Sequence, residues 1–386
     1  MTAWWPAAVL ALVVFAVRAA GRAPQLCLVF RWLPVPLWCY LLPSALVAAG
    51  VLPAGAPAYP LVTAAVLPAA LALLLFGTNV PAIVRMGGRA AAAGLVGAAG
   101  IFLGTLCATA LCRPLLPPEA WKAAASLTAT WTGGTMNLLA MRDVLATPEA
   151  LFAPLILVDA VVAYSWMALL VAGSAHAQLL NRWLRADVGP VPAPAASSVR
   201  ASTAWSSGAL LAAVAAVAVS IASRWAAEAP PMEWLARLAP TASGRAVLLV
   251  TTVGLAASLA PRIRAAGEAA GPLGSTLLLL VLTAAGAQAS LHGLMESPVW
   301  LAFGAITVTV HGGLMLLAGR WRRWPLGLLA TASQANIGGV VSAPLVGAVY
   351  EQSLVPVGLV LAMAGNATGT YIGLVSAQAC RWLTGG

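Results

Sequence analysis

Asp159 stands in Leu155-Ile156-Leu157-Val158-Asp159-Ala160-Val161-Val162-Ala163-Tyr164, the one carboxylate deep inside an apolar run of this sequence. If that run lies in lipid, an Asp there costs about 2.5–3.5 kcal/mol on insertion scales, which makes it a functional candidate by default. A carboxyl in such a place responds both to desolvation and to a neighbouring cation, so it can exchange a proton for a metal ion. Its plainer role would be to cap a broken helix or to bond Tyr164.

Two other stretches are unusually polar for their apolar surroundings. One reads Thr128-Ala129-Thr130-Trp131-Thr132-Gly133-Gly134-Thr135-Met136-Asn137. The other reads Thr331-Ala332-Ser333-Gln334-Ala335-Asn336-Ile337-Gly338-Gly339-Val340-Val341-Ser342. Hydroxyls and amides coordinate a dehydrated cation or a polar solute without burying a charge. A Gly-Gly pair lets the chain turn inside a membrane. Half-helix N-termini beside such a turn present partial positive charge to an anion, and freed carbonyls can hold a cation. Small and hydroxyl residues also glue helices together, but their recurrence in two matched places favours a binding site. The candidate residues are Thr132, Gly133, Gly134 and Asn137, then Gln334, Asn336, Gly338, Gly339 and Ser342. Asn366 and Thr370 join them from Gly365-Asn366-Ala367-Thr368-Gly369-Thr370-Tyr371. His311, in Val308-Thr309-Val310-His311-Gly312-Gly313, is a second candidate proton carrier beside Asp159. A lone His at such a place is more often a packing hydrogen-bonder.

Enzyme chemistry has no comparable signature. The sequence contains no HExxH, GxGD, Gly-x-Ser-x-Gly or P-loop motif. Its five cysteines form no CxxC pair, and Cys107 and Cys112 have no His or carboxylate nearby to complete a zinc site. The expectation is a protein that is not an enzyme and needs no metal or other cofactor, with Na⁺ or H⁺ as a coupling ion.

The elements that would position these residues are membrane helices. The chain of 386 residues is 61% hydrophobic and only 8% charged, against roughly 25% charged in a soluble domain. Apolar runs of spanning length recur, and runs such as Leu61 to Phe76 do not alternate as barrel strands do. The net charge of +10 comes from residues in the gaps between apolar runs. The positive-inside rule accounts for them without nucleic acid. No basic residue precedes Val9 to Phe15, which favours a retained first helix over a cleaved signal.

Apolar spans are expected near 2–18, 33–51, 58–78, 88–112 and 150–173, with a Gly-interrupted segment near 120–146. A Pro-, Ser- and Arg-bearing stretch at 175–202 reads as a cytoplasmic linker. Spans near 204–223, 243–260, 272–291, 297–319 and 354–379 follow, with a second interrupted segment near 325–350. Each half thus has four spans, an interrupted segment and one more span. The halves are 1–174 and 203–386, and Asp159-x4-Tyr164 pairs weakly with Asn366-x4-Tyr371. If each interrupted segment is a re-entrant hairpin and the N-terminus is outside, five crossings per half invert the second repeat. The cytoplasmic loops then hold Arg18, Arg22, Arg31, Arg85, Arg89, Arg182, Arg185, Arg200, Arg262, Arg264, Arg320, Arg322 and Arg323. That is thirteen basic residues inside against seven outside. Segments that crossed fully would break up this bias.

At these motifs the chain resembles a group of bacterial and plastid membrane proteins, the family called domain of unknown function 819. The resemblance rests chiefly on Ala332-Ser333-Gln334-Ala335-Asn336-Ile337-Gly338-Gly339 and on Gly365 to Gly373 with Gly369-Thr370-Tyr371. Trp131-Thr132-Gly133-Gly134 with Asn137 is similar to the family's Ile-Gly-Gly-Ser-x-Asn, with Thr132 and Thr135 as departures. Val158-Asp159 and His311 are similar as well. That family is grouped with cation/proton antiporters, bile-acid symporters and glutamate or citrate symporters. The resemblance implies an elevator-type transporter fold, all-α and integral to the membrane, with about ten transmembrane helices in two inverted repeats. It names no substrate, and it implies a homodimer, since related transporters are commonly dimers.

The expectation is a secondary active transporter, coupled to Na⁺ or H⁺, in the plasma (inner) membrane with both termini outside. Its partners are the lipid bilayer and a small solute; small organic anions suit the half-helix dipoles and the kinship. Alternating access would come from a core carrying the hairpins and the spans at 150–173 and 354–379. The alternatives are a cation/proton antiporter with no organic substrate, or a membrane sensor or assembly protein on the same fold.

Overall fold

The computed structural model describes residues 4–26, 29–30, 33, 35–187, 207–289 and 297–385. Among them every long element is a helix. In chain order these are α1 (Trp5–Ala20), α2 (Val35–Ala48), α3 (Ala58–Phe76), α4 (Gly88–Cys112), α5 (Ala120–Gly133), α6 (Thr135–Val144), α7 (Glu149–Gly173) and α8 (Ala177–Leu184). Then come α9 (Ser207–Glu228), α10 (Ala242–Ala257), α11 (Pro261–Gln288), α12 (Ser297–Arg322), α13 (Leu326–Ile337), α14 (Gly339–Tyr350) and α15 (Leu354–Thr384). Seven of the described helices are long and apolar enough to cross a membrane, and α1, α2, α10 and α14 are shorter apolar helices. Backbone groups in lipid can be satisfied inside a helix, and so Gly-rich α4 is helical despite a poor propensity in water.

The chain forms two compact units. The first comprises Met1–Thr78, Arg142–Ala160 and Arg200–Pro298; the second comprises Asn79–Met141, Val161–Val199 and Val299–Gly386. Each unit draws on both halves of the sequence. Helices α1–α3 and α9–α11 belong to the first, whereas α4, α5, α12, α13, α14 and α15 belong to the second. The expected core is therefore divided: α15 accompanies the hairpins, but α7 is split between Ala160 and Val161. Asp159 falls in the first unit.

In the first unit α11 is the central helix, packed against α1, α2, α3 and α9. Its N-terminus lies eleven residues before the expected start at 272. Pro261 occupies a first-turn position, where a missing N–H costs nothing. Arg262, Arg264 and Glu268 hid this turn from a reading based on apolarity. Arg142 and Glu149 form an ion pair across the α6–α7 connection, and the Arg142 guanidinium lies 4.9 Å from the Phe152 ring centroid.

In the second unit α15 is the hub, packed against α4, α5, α13 and α14. The segment expected as a linker includes α8, an amphipathic helix whose Leu184 is buried while Leu179 and Trp183 are exposed. The rest of that linker, 188–202, lies outside the described residues, as do Cys27, Arg31 and Arg200.

Candidate functional site

Both interrupted segments fold back on themselves. In the first, α5 ends at Gly133, and Gly134 turns the chain with φ 75° and ψ 174°. That region of backbone space is almost confined to glycine. Met141 of α6 and Ala125 and Ala129 of α5 both lie against Gly373 of α15, so the two helices run antiparallel. In the second, Gly339 turns with φ 73°. Gly327 at the start of α13 meets Tyr350 at the end of α14. Each of these helices has 12 residues, a rise of about 18 Å, well short of the roughly 30 Å of a hydrocarbon core.

Small residues seat the first hairpin on α15. Ala125, Ala129 and Gly133 recur every four residues on α5, and Gly365, Gly369 and Gly373 do the same on α15. The backbones consequently touch: a Cβ on Gly133 would lie 2.5 Å from the Gly365 carbonyl oxygen and 2.9 Å from Gly369 Cα. Small residues at this spacing let membrane helices approach closely. The contact is completed by Thr370 Oγ1, which donates to Asn137 Oδ1 at 2.6 Å. Asn137 Nδ2 donates to the Gly133 carbonyl and, at 3.3 Å, to that of Asn366. The Asn366 side chain lies beside Gly134. Further along, Thr128 Oγ1 is 2.9 Å from both Thr105 and Ser376 hydroxyls.

The second hairpin packs on α15 and α4 and is hydrogen-bonded to α4 and α12. Asn336 Nδ2 donates to the carbonyls of Gly94 at 3.3 Å and Ala332 at 3.2 Å. His311 Nδ1 is 2.9 Å from the Gly97 carbonyl, which can only accept, so Nδ1 carries a proton. Its Nε2, 2.7 Å from Ser333 Oγ, then accepts from that hydroxyl, which in turn accepts from Trp166 Nε1 at 2.8 Å. Every partner is matched with a neutral imidazole, the arrangement of a packing histidine. At the tip, Gln334 Nε2 donates to Ser342 Oγ at 2.9 Å, while Gln334 Oε1 is buried with no partner among the described residues.

Gly338 lies directly beneath this Gln334–Ser342 bridge, and a Cβ there would overlap both polar groups. Gly338→Ala is expected to part the bridge at a cost of about 1 kcal/mol. Thermal unfolding of Gly338→Ala, Ser342→Ala and the double variant checks this: the two losses should fail to add. Full additivity would show that Gly338 protects something else.

Within the second unit, both hairpins contribute to one cavity of about 700 Å³, within the usual range for small-molecule sites. Thr132 comes from the first, Ala332, Ala335 and Asn336 from the second, and Gly94, Gly365, Thr368 and Tyr371 from α4 and α15. The remaining wall is apolar, including Leu95, Phe102, Leu361 and Ile372.

The structure thus brings Thr132 and Asn336 to one cavity, and joins Gly133, Asn137, Asn366 and Thr370 at one helix contact. Gln334, Gly338 and Ser342 form a separate bridge at the second tip. Asp159 is half-buried on α7 in the other unit and is not without a partner. Among the described residues no group of three His, Cys, Asp or Glu side chains is placed to hold a metal ion. Sequence reasoning missed Gly94, quoted Thr368 without naming it a site residue, and did not read Gly365, Gly369 and Gly373 as a packing stripe. The stripe was readable from its four-residue spacing; Gly94 and Thr368 carry no such mark.

A family model described as "Protein of unknown function (DUF819)" matches residues 7–383. No curated protein matches the chain.

Proposed function

Because the chain belongs to the DUF819 family of proteins of unknown function, its activity has to be read from its own geometry, and we propose a secondary active transporter that moves a small solute by alternating access. It is a carrier, not an enzyme, and works without a bound cofactor. The observation that carries this reading is the cavity lined by both hairpins. Non-helical backbone at membrane depth is tolerated where it is buried in protein or lines a cavity, and paired discontinuous helices mark the substrate sites of many transporters.

In this reading the halves are inverted repeats. The recurring order of four helices, a hairpin and a long helix supports it. So does the sorting of the first three helices of each half into one unit and of the fourth helix and the hairpin into the other. An elevator mechanism needs one body that carries the solute, and the second unit, holding both hairpins, takes that part. Both termini lie outside the inner membrane, and the protein works as a homodimer. Asp159 is the ion-coupling carboxylate, with Na⁺ or H⁺ as the ion.

The test is ion flux in proteoliposomes under an imposed Na⁺ or pH gradient, with and without a mixture of small solutes. Flux above that of empty liposomes is expected, and Asp159→Asn should remove at least about 90% of it, since an amide cannot carry the exchanged charge. Flux with no solute present would identify a cation/proton antiporter. No flux under any gradient would leave a sensor or assembly protein and refute transport.

A further inference from the structure

Three of the four hydroxyl- or amide-bearing side chains in the cavity wall offer acceptors; the fourth, Tyr371, has a hydroxyl that can donate as well as accept. Asn336 spends both Nδ2 hydrogens on the carbonyls of Gly94 and Ala332. Carbonyls only accept, so the orientation of the amide is fixed, and its Oδ1 is left without a bond among the described residues. Thr132 donates its hydroxyl hydrogen to the Thr128 carbonyl at 2.8 Å. Thr368 donates its own to the Ala364 carbonyl at 2.9 Å. What these three side chains retain is lone pairs. Among the described lining residues there is no Arg, Lys, Asp or Glu. The half-helix N-termini that would suit an anion begin at Thr135 and Gly339, and neither residue lines the cavity.

From this we infer that the cavity takes a molecule with an apolar body and a head that donates hydrogen bonds, an alcohol or an ammonium, rather than a carboxylate. The expectation of an anionic solute, drawn from hairpin dipoles, gives way to the chemistry of the cavity wall. Asn336 Oδ1, which has no bond of its own among the described residues, and Thr368 Oγ1, on an exposed residue of the wall, read the head. The apolar wall takes the body, and the rings of Phe102 and Tyr371 in that wall favour a cationic head over an anionic one. A carboxylate would meet these acceptors with no cationic side chain in the described wall to compensate its charge. This inference rests on the reading of the cavity as a solute site, but its test does not depend on transport.

Four probes share a naphthalene body and an ethyl arm ending in ammonium, hydroxyl, carboxylate or hydrogen. Their binding to the detergent-solubilised full chain is measured calorimetrically, and specific binding is that lost in Thr368→Trp, which fills the cavity from an exposed position. The ammonium and hydroxyl probes should bind about tenfold more tightly than the carboxylate and the unsubstituted probe, one hydrogen bond's worth of discrimination. Thr368→Val, isosteric and without a fold role beyond its own helix, should narrow that gap to roughly threefold. Equal or tighter carboxylate binding, equal binding of all four, or no binding sensitive to Thr368→Trp would each overturn the inference. Ion flux that persists alongside any of these results would leave the transporter reading standing.

Discussion

Gly133→Ala is expected to destabilise the protein by about 2–3 kcal/mol, the cost of forcing an extra methyl into a closed contact. The new Cβ meets the Gly365 carbonyl and Gly369 Cα, which are backbone and cannot turn aside. Helices α5 and α15 have to part, and the Thr370–Asn137 bond is lost with them. Gly313→Ala supplies the control. Gly313 is exposed within α12 and a Cβ there meets nothing within 4 Å, so the change should stabilise by up to about 1 kcal/mol through propensity alone. Thermal unfolding in detergent separates the two. A Gly133→Ala protein as stable as the Gly313→Ala protein would mean that the backbones do not touch there.

Arg142→Ala should cost roughly 3 kcal/mol, as breaking a largely buried ion pair by removing one partner does. The side chains of Arg142 and Glu149 are 15% and 24% exposed, and Asp143 beside them is already engaged by Ser243. Without Arg142, Glu149 is left largely buried with no cation, to hold an unpaired charge or take up a proton, and Phe152 loses its guanidinium neighbour. Replacing both partners by apolar residues, Arg142→Met with Glu149→Leu, should recover most of the loss, because neither charge is then stranded. Unfolding of the two single variants and the pair measures this. A double variant as unstable as the sum of the singles would show that each residue works through other contacts.

Much of this architecture was legible in the sequence because apolar run length and paired glycines are local properties. The two turns at Gly134 and Gly339 follow from the Gly-Gly pairs, and the polar residues around them proved to be those that bond across helices. Asn137 and Thr370, 233 positions apart, both came from motifs singled out for composition. Three-dimensional partition was not legible. Asp159 and the hairpins are equally apolar in context, and nothing local tells which body a helix segment joins. The same applies to His311: its place mid-span was plain, but the Gly97 carbonyl and Ser333 hydroxyl that settle its tautomer come from other helices. The charged first turn of α11 and amphipathic α8 were missed for a simpler reason, since hydropathy alone does not see helices that run on past the apolar core.

The two tips are built differently at the turn itself. Around Gly133 and Gly134 the main chain of α5 is bolted to that of α15, with no side chain between to swing away. At the opposite tip Gly339 has open space around it, and a single amide-to-hydroxyl latch between Gln334 and Ser342 spans the turn. A methyl added at the first turn is therefore met by main chain, whereas one added at Gly339 meets no neighbour and is opposed by its backbone angle alone.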